Sequence, residues 1–90
     1  MLTASKASQF KSDYKICKKR NYVMADLHYV FIELENERPL AAKYNVHPLK
    51  GTYNGCLECH IEPDWLLIYQ IDKITNEIYY VRTGTHSDLF

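Results

Sequence analysis

The stretch LECHIEPDWLLIYQIDKITNEIYYVRT, residues 57–83, decides the fold of this chain of 90 residues. Its first six residues alternate between apolar and polar side chains, which is the period of a half-buried β-strand. Residues 65–71 are almost all apolar, as expected for a central strand that is covered on both faces. Residues 72–76 predict a hairpin loop, and the aromatic and β-branched residues within 77–83 predict the next strand. The second half of the chain is therefore predicted to form an antiparallel meander.

The first half of the chain has the apolar period of helices. We predict a short strand at residues 2–4, a first helix over residues 5–19 and a second helix over residues 23–36. Pro39 ends the second helix or follows its end, and residues 39–51 then predict a loop that contains one helical turn. The expected fold class is α+β, a small antiparallel sheet with two N-terminal helices packed on one of its faces.

Length and composition point to a small globular protein. Ninety residues bury a small core, so we expect residues 1–90 to form a single domain. No apolar run approaches the ~20 residues of a membrane span, and the N-terminus lacks a stretch of signal-peptide type, so we expect a cytoplasmic protein without membrane contact. The net charge is zero, but residues 1–20 carry six cations against one anion. This basic segment fits either an RNA-facing surface or the solvated side of a helix.

The string C-x-x-C-H at Cys56, Cys59 and His60 is the one found at haem attachment sites. Residues three apart in a strand point to opposite faces, so both thiols cannot reach one porphyrin edge. A zinc site needs four ligands, usually two spaced pairs, and here only His47 or His86 could complete it. We expect free thiols, no cofactor and no metal. A haem- or zinc-binding module that uses this string is the alternative.

Five residues with acid, base or cationic side chains are expected near one end of the sheet. His60 and Asp64 flank a turn, while Arg82 and His86 lie at the close of the last strand. His47 lies in the loop that leads into the sheet. In an antiparallel meander the end of one strand and the start of the next share a sheet edge, so these side chains can converge. Because His86 follows Gly84 near the last residue, we expect it on a mobile tail that contributes little to the core.

This set of side chains fits the cleavage of a phosphodiester bond. Attack of an RNA 2′-hydroxyl on its own phosphate needs a base, an acid and a cation for the charge on phosphorus. Imidazoles and a carboxylate can fill the first two roles, the guanidinium of Arg82 can fill the third, and Trp65 and Phe90 could stack on bases. Each residue also has a structural explanation: Trp65 as core, for example, or Arg82 paired with Glu58 or Glu62 across the sheet.

Three linked motifs resemble the YafQ branch of the RelE-like bacterial toxins. They are HPLKG at residues 47–51, HIEPDWLLIY at residues 60–69 and RTGTHSDLF at residues 82–90. Their order and spacing match over the second half of the chain, whereas the first 40 residues agree only in pattern. Members of this family are ribosome-dependent mRNA interferases of type II toxin–antitoxin pairs, with a compact sheet that carries two N-terminal helices.

The resemblance implies an endoribonuclease that cuts mRNA in the ribosomal A site without a metal. The implied catalytic residues are His47, His60, Asp64, Arg82 and His86, and the implied RNA-binding residues are Lys50, Trp65 and Phe90. In this reading His86 transfers the proton with help from His60 and Asp64, Arg82 binds phosphate, and the aromatic rings hold the bases. The division of acid and base roles among the three histidines and Asp64 stays open.

The resemblance also implies partners. A cognate antitoxin of the DinJ or RelB-like ribbon-helix-helix type is expected to wrap the toxin and to bring operator DNA, and the ribosome with its mRNA is the expected target. The acidic second helix and the basic first helix are two candidate docking surfaces.

The chain departs from the family pattern in two ways. Cys56-Leu57 replaces an aromatic–arginine pair that is common in the family, and the chain is neutral where family toxins tend to be basic. An inactive relative that acts only through antitoxin and DNA is the alternative.

Overall fold

The computed structural model describes residues 1–90 as three α-helices and one five-stranded sheet. The elements, in chain order, are β1 Thr3–Lys6, α1 Ser8–Lys19, α2 Met24–Glu35, β2 His47–Pro48, β3 Leu57–Glu62, β4 Trp65–Asp72, β5 Glu77–Gly84 and α3 His86–Leu89. Two short 3₁₀ turns, Ala42–Tyr44 and Gly51–Tyr53, lie on either side of β2. The strand order is β1-β5-β4-β3-β2. None of the helices has the length and apolar character needed to cross a membrane.

The α+β fold is confirmed, and the sheet differs from the prediction in one pairing. All neighbouring strands are antiparallel except β1, which runs parallel to β5. Helix α1 begins at Ser8 rather than residue 5, because Ser5 and Lys6 extend β1 and pair with residues 79 and 80 of β5. Strand β2 was not predicted, since two residues are too few to show a period.

The main core lies between the two long helices and one face of the sheet. Phe10 of α1 and Leu27 of α2 are fully buried there, as are Leu67 of β4 and Tyr80 of β5. The Phe31 and Tyr80 rings lie 4.4 Å apart, centroid to centroid. Burying a side chain of this size is worth about 1.5–3 kcal/mol, so this face of the sheet supplies most of the stability.

A second, smaller cluster covers the opposite face of β4. Leu66 and Ile68 are fully buried there beneath Leu89 of α3, which confirms the prediction of a strand covered on both faces. The prediction that His86 lies on a mobile tail is wrong. A capping box joins Thr85 and Asp88 at the start of α3, and Leu89 is only 6% exposed. An apolar anchor and a capped turn thus fix the residues that follow Gly84.

Candidate active site

Three imidazoles lie in a row across one edge of the sheet. His47 comes from β2, His60 from β3 and His86 from the first turn of α3. The ring centroids of His47 and His60 are 6.1 Å apart, and those of His60 and His86 are 5.8 Å apart. Both pairs meet nearly edge to face. The structure therefore brings the three predicted histidines together, although they come from three separate elements.

Asp64 holds His86 through its backbone and its side chain. The Oδ1 atom of Asp64 accepts a hydrogen bond of 2.9 Å from the backbone N–H of His86 and lies 2.6 Å from Nδ1 of the ring. The hydrogen bond from the backbone N–H, followed by that from the ring, lowers the pKa of Asp64 below its usual range. An ionised Asp64 keeps the proton of a neutral His86 on Nδ1 and leaves the lone pair of Nε2 free.

Glu58 belongs to the site, and the sequence did not single it out. Its Oε1 atom lies 3.2 Å from Nε2 of His47 and 3.5 Å from Nε2 of His60. The side chain is buried, and its Oε2 atom is enclosed without a hydrogen-bond partner. The predicted alternation of β3 placed Glu58 on the polar side with His60, and this shared face was the available signal. Its burial depends on the long-range pairing of β2 with β3.

His47 is held between two oxygen acceptors. Its Nδ1 atom lies 2.9 Å from the backbone carbonyl of Asn45, and its Nε2 atom faces the Glu58 carboxylate. Only an imidazolium donates hydrogen bonds to both. The buried Glu58 side chain therefore faces one ring nitrogen from each of the two neighbouring histidines.

Arg82 is paired elsewhere than the sequence suggested. Its Nε and Nη2 atoms donate to the carboxylate of Asp13 in α1, at 2.7 and 3.2 Å. Asp13 is buried and also accepts from the backbone N–H of Thr83. This carboxylate raises the pKa of Arg82 above its usual range. The predicted alternative of a pair with Glu58 or Glu62 is wrong. The Nη1 atom of Arg82 does not contact Asp13 and lies 3.5 Å from the Tyr53 hydroxyl.

The predicted RNA-binding residues differ in accessibility. Trp65 is 3% exposed, its indole N–H donates to the hydroxyl of Thr83, and its ring packs against Tyr22. The structure therefore places Trp65 in the core rather than on a base-stacking surface, because almost none of its ring is exposed. Phe90 is 65% exposed and touches Tyr53 edge to face, while Lys50 is exposed. These two residues remain available to RNA.

A cavity opens beside His60, at the edge of β3 that β2 leaves uncovered. Its volume is about 450 Å³, within the size range of small-ligand pockets. The lining residues are Asp26, Lys43, Tyr44, His60, Ile61, Glu62 and Pro63. The central imidazole of the row thus borders a space large enough for part of a nucleotide.

The C-x-x-C-H string has no common ligand site. Cys59 is fully buried in the main core, whereas Cys56 packs on the smaller cluster across the sheet. Burial raises the pKa of Cys59 to about 12, so its thiol stays protonated at neutral pH. No group of three or more histidine, cysteine, aspartate or glutamate side chains is arranged to hold a metal ion. The two thiols therefore act as packing groups on opposite faces.

Thiol alkylation of the native protein should follow this difference in exposure. We expect iodoacetamide to modify Cys56 first, because Cys17 and Cys59 are at most 1% exposed. Mass spectrometry should show one modified thiol in native protein and three after unfolding in guanidinium. Equal rates for Cys56 and Cys59 in the native protein would contradict their placement on opposite faces.

Comparison with known proteins gives a consistent result. Residues 2–90 match the sequence profile of a family described as "Bacterial toxin of type II toxin-antitoxin system, YafQ". The chain is 41% identical over 86 residues to the mRNA interferase toxin YafQ of Escherichia coli, covering 93% of this chain and 90% of the relative.

Solved structures agree over the whole length. A metal-bound toxin from Helicobacter pylori is 46% identical with a TM-score of 0.93, and the match covers 100% of both chains. A chain from the E. coli DinJ–YafQ complex is 37% identical with a TM-score of 0.90, covering 100% of this chain and 99% of that one.

Proposed function

The chain belongs to the YafQ family of type II toxins, and from this premise we propose that it is an endoribonuclease that cuts mRNA. The contact between His86 and Asp64 at 2.6 Å, next to the His60 ring, carries the proposal. A surface histidine held by a carboxylate and flanked by a second imidazole has the parts needed to move a proton in both directions at neutral pH.

The reaction requires two proton transfers at one phosphate. A base removes the proton of the ribose 2′-hydroxyl, whose oxygen then forms a bond to phosphorus. The bond from phosphorus to the 5′-oxygen breaks, and an acid protonates that oxygen. The products are a 2′,3′-cyclic phosphate and a free 5′-hydroxyl. We assign one of these transfers to Nε2 of His86, because Asp64 occupies its Nδ1 atom.

The other groups of the row support this chemistry in different ways. His60 lies close enough to His86 to serve the same phosphate, and His47 lies on the other side of His60, where both rings face the buried Glu58 side chain. Arg82 would use its Nη1 atom for phosphate, since its other donors are held by Asp13. Lys50 and Phe90 would contact the RNA chain, and the Phe90 ring would stack on a base.

We infer that cleavage depends on the ribosome, and the openness of the site supports this inference. The side chains of His86 and Asp64 are 53% and 65% exposed, so the protein itself encloses little of the substrate. A chain with zero net charge also attracts free RNA weakly. Another molecule therefore has to position the phosphate, and the ribosome does so for the mRNA held in its A site. We infer a cytoplasmic location, because translated mRNA is the proposed substrate.

A cognate antitoxin completes the proposal. One structure of E. coli YafQ was solved in complex with DinJ, and this chain shares its fold over its whole length. We infer that a DinJ-like antitoxin binds this chain and carries it to operator DNA. Two surfaces are open to it: α1 exposes lysines around Ile16, and α2 exposes Tyr29 and Ile32 beside acidic residues.

The decisive experiment compares translated and naked mRNA. We expect cleavage at codon-phased positions in a translating extract and little cleavage of the same RNA alone. The toxin is first dialysed against a chelator and checked for residual metal, because ribosomes themselves need Mg²⁺ and the extract cannot be chelated. Equal activity before and after dialysis is expected, since the proposed proton transfers use side chains alone. Intact mRNA at high toxin concentration would favour the inactive relative.

A further inference from the structure

We propose that Arg20 and Asp88 are positioning residues that hold His86 in its working orientation. The proposal rests on the proposed function, because it concerns the histidine to which that function assigns proton transfer. Neither residue touches the imidazoles. Both act through α3, the short helix that carries His86.

An ion pair fastens α3 to the end of α1. Nη1 of Arg20 donates to Oδ2 of Asp88 at 2.7 Å, and Nη2 donates to Oδ1 at 3.2 Å. This forked geometry fixes the guanidinium and the carboxylate in one plane and is more specific than a single contact. Arg20 follows the last residue of α1, so the pair joins elements far apart in the sequence.

The same carboxylate organises the turn in front of His86. Oδ2 of Asp88 also accepts a hydrogen bond of 2.9 Å from the backbone N–H of Thr85, and the Thr85 hydroxyl accepts from the N–H of Asp88. Gly84 packs closely on this group, because a Cβ at that position would lie 2.8 Å from Oδ2. Asp88 therefore links Arg20 to the backbone on both sides of His86.

A helix of four residues has no stability of its own. Four tertiary contacts hold α3: the Arg20–Asp88 pair, the buried Leu89 side chain, the bonds from His86 to Asp64, and the hydrogen bond that the Tyr53 hydroxyl donates to the Leu89 carbonyl. Loss of the ion pair removes one of the four and lets the first turn fray. A misplacement of about 1 Å in a catalytic group can cost ~10²-fold in rate, so a loosened turn is enough to slow cleavage.

The test uses three substitutions and one matched control. Arg20→Ala removes the pair, Arg20→Lys restores a charge with poorer geometry, and Asp88→Asn removes the carboxylate but leaves the guanidinium. Arg38→Ala is the control, because Arg38 makes an equally short pair with Glu33, at 2.6 Å, on the surface beyond α2.

Cleavage is measured at saturating ribosomes, and ribosome affinity is measured separately. We expect about a tenfold loss of rate in Arg20→Ala and in Asp88→Asn with affinity unchanged, a partial recovery in Arg20→Lys, and the parent rate in Arg38→Ala. If Arg20 instead bound RNA directly, Asp88→Asn would free it and activity would hold or rise, which would overturn the proposal.

Nitrogen NMR of the free toxin gives a readout independent of cleavage. The His86 ring nitrogens should report the Nδ1–H tautomer in the parent and in Arg38→Ala, and a mixture of both tautomers in Arg20→Ala. If the parent cuts no mRNA, the proposed function fails while the NMR comparison still decides this inference. If the parent is active and Arg20→Ala matches it in rate and in nitrogen shifts, the inference is wrong. Should Arg20→Ala not fold, Arg20→Lys and Asp88→Asn give the same comparison.

Discussion

Replacement of His86 by alanine is expected to lower the rate of mRNA cleavage by roughly 10²–10⁴-fold, the usual contribution of a positioned acid or base. The fold should survive, because the side chain is half exposed and its loss removes no core contact. Thermal unfolding and antitoxin binding should therefore match the parent within about 1 kcal/mol. The rate is best measured on ribosome-bound mRNA in single turnover.

His28→Ala is the matched control for this experiment. His28 lies exposed on α2, where its ring stacks on Tyr14 and its Nε2 atom lies 2.7 Å from the Tyr14 hydroxyl. It is outside the row of imidazoles, so its replacement should leave cleavage unchanged. If both variants cut mRNA as fast as the parent, His86 does not transfer the proton.

Asp13→Ala is expected to destabilise the protein by about 2–4 kcal/mol. Breaking a buried ion pair costs roughly 3–5 kcal/mol, and the partial exposure of Arg82, 22% for its side chain, reduces that figure. The backbone N–H of Thr83 also loses its acceptor. Urea denaturation should show a lower midpoint with an unchanged slope, measured in an inactive His86→Ala background to avoid toxicity.

A surface pair of similar length supplies the comparison. Glu33→Ala breaks the bond to Arg38 at 2.6 Å, but that arginine is more than half exposed, so the cost should stay below about 1 kcal/mol. Equal costs for the two substitutions would show that the burial of Asp13 adds nothing to the pair between α1 and β5.

Elements with a repeated period could be predicted from the sequence, and those fixed by single contacts could not. Helix α2 and strands β3, β4 and β5 lie within one residue of their predicted bounds because each repeats an apolar pattern over several turns or residues. Strand β2 and helix α3 are too short for a pattern. They form because β3 offers an edge to β2 and because Leu89 finds an apolar site on the sheet.

The same distinction holds for the site. Three histidines and Asp64 stood out because their chemistry is visible in the sequence, and the turn at Pro63 placed two of them near each other. Glu58 and Asp13 did not stand out, since a carboxylate in a polar pattern is usually solvated and its burial depends on long-range packing. The base-stacking prediction for Trp65 has a different explanation. In the sequence, an aromatic residue next to catalytic residues is typical of a base-stacking site, and only the structure shows that this ring is buried.

The parallel pairing of β1 with β5 determines when the sheet can form during synthesis of the protein. Residues 3–6 leave the ribosome early, yet their hydrogen-bonding partners in residues 77–80 are synthesised long afterwards. The sheet cannot close, and α3 cannot dock on it, until β5 has emerged. Contacts so distant along the chain also form slowly. We therefore expect the row of imidazoles to assemble only after β5 and α3 have been synthesised, so that the nascent chain lacks the complete site.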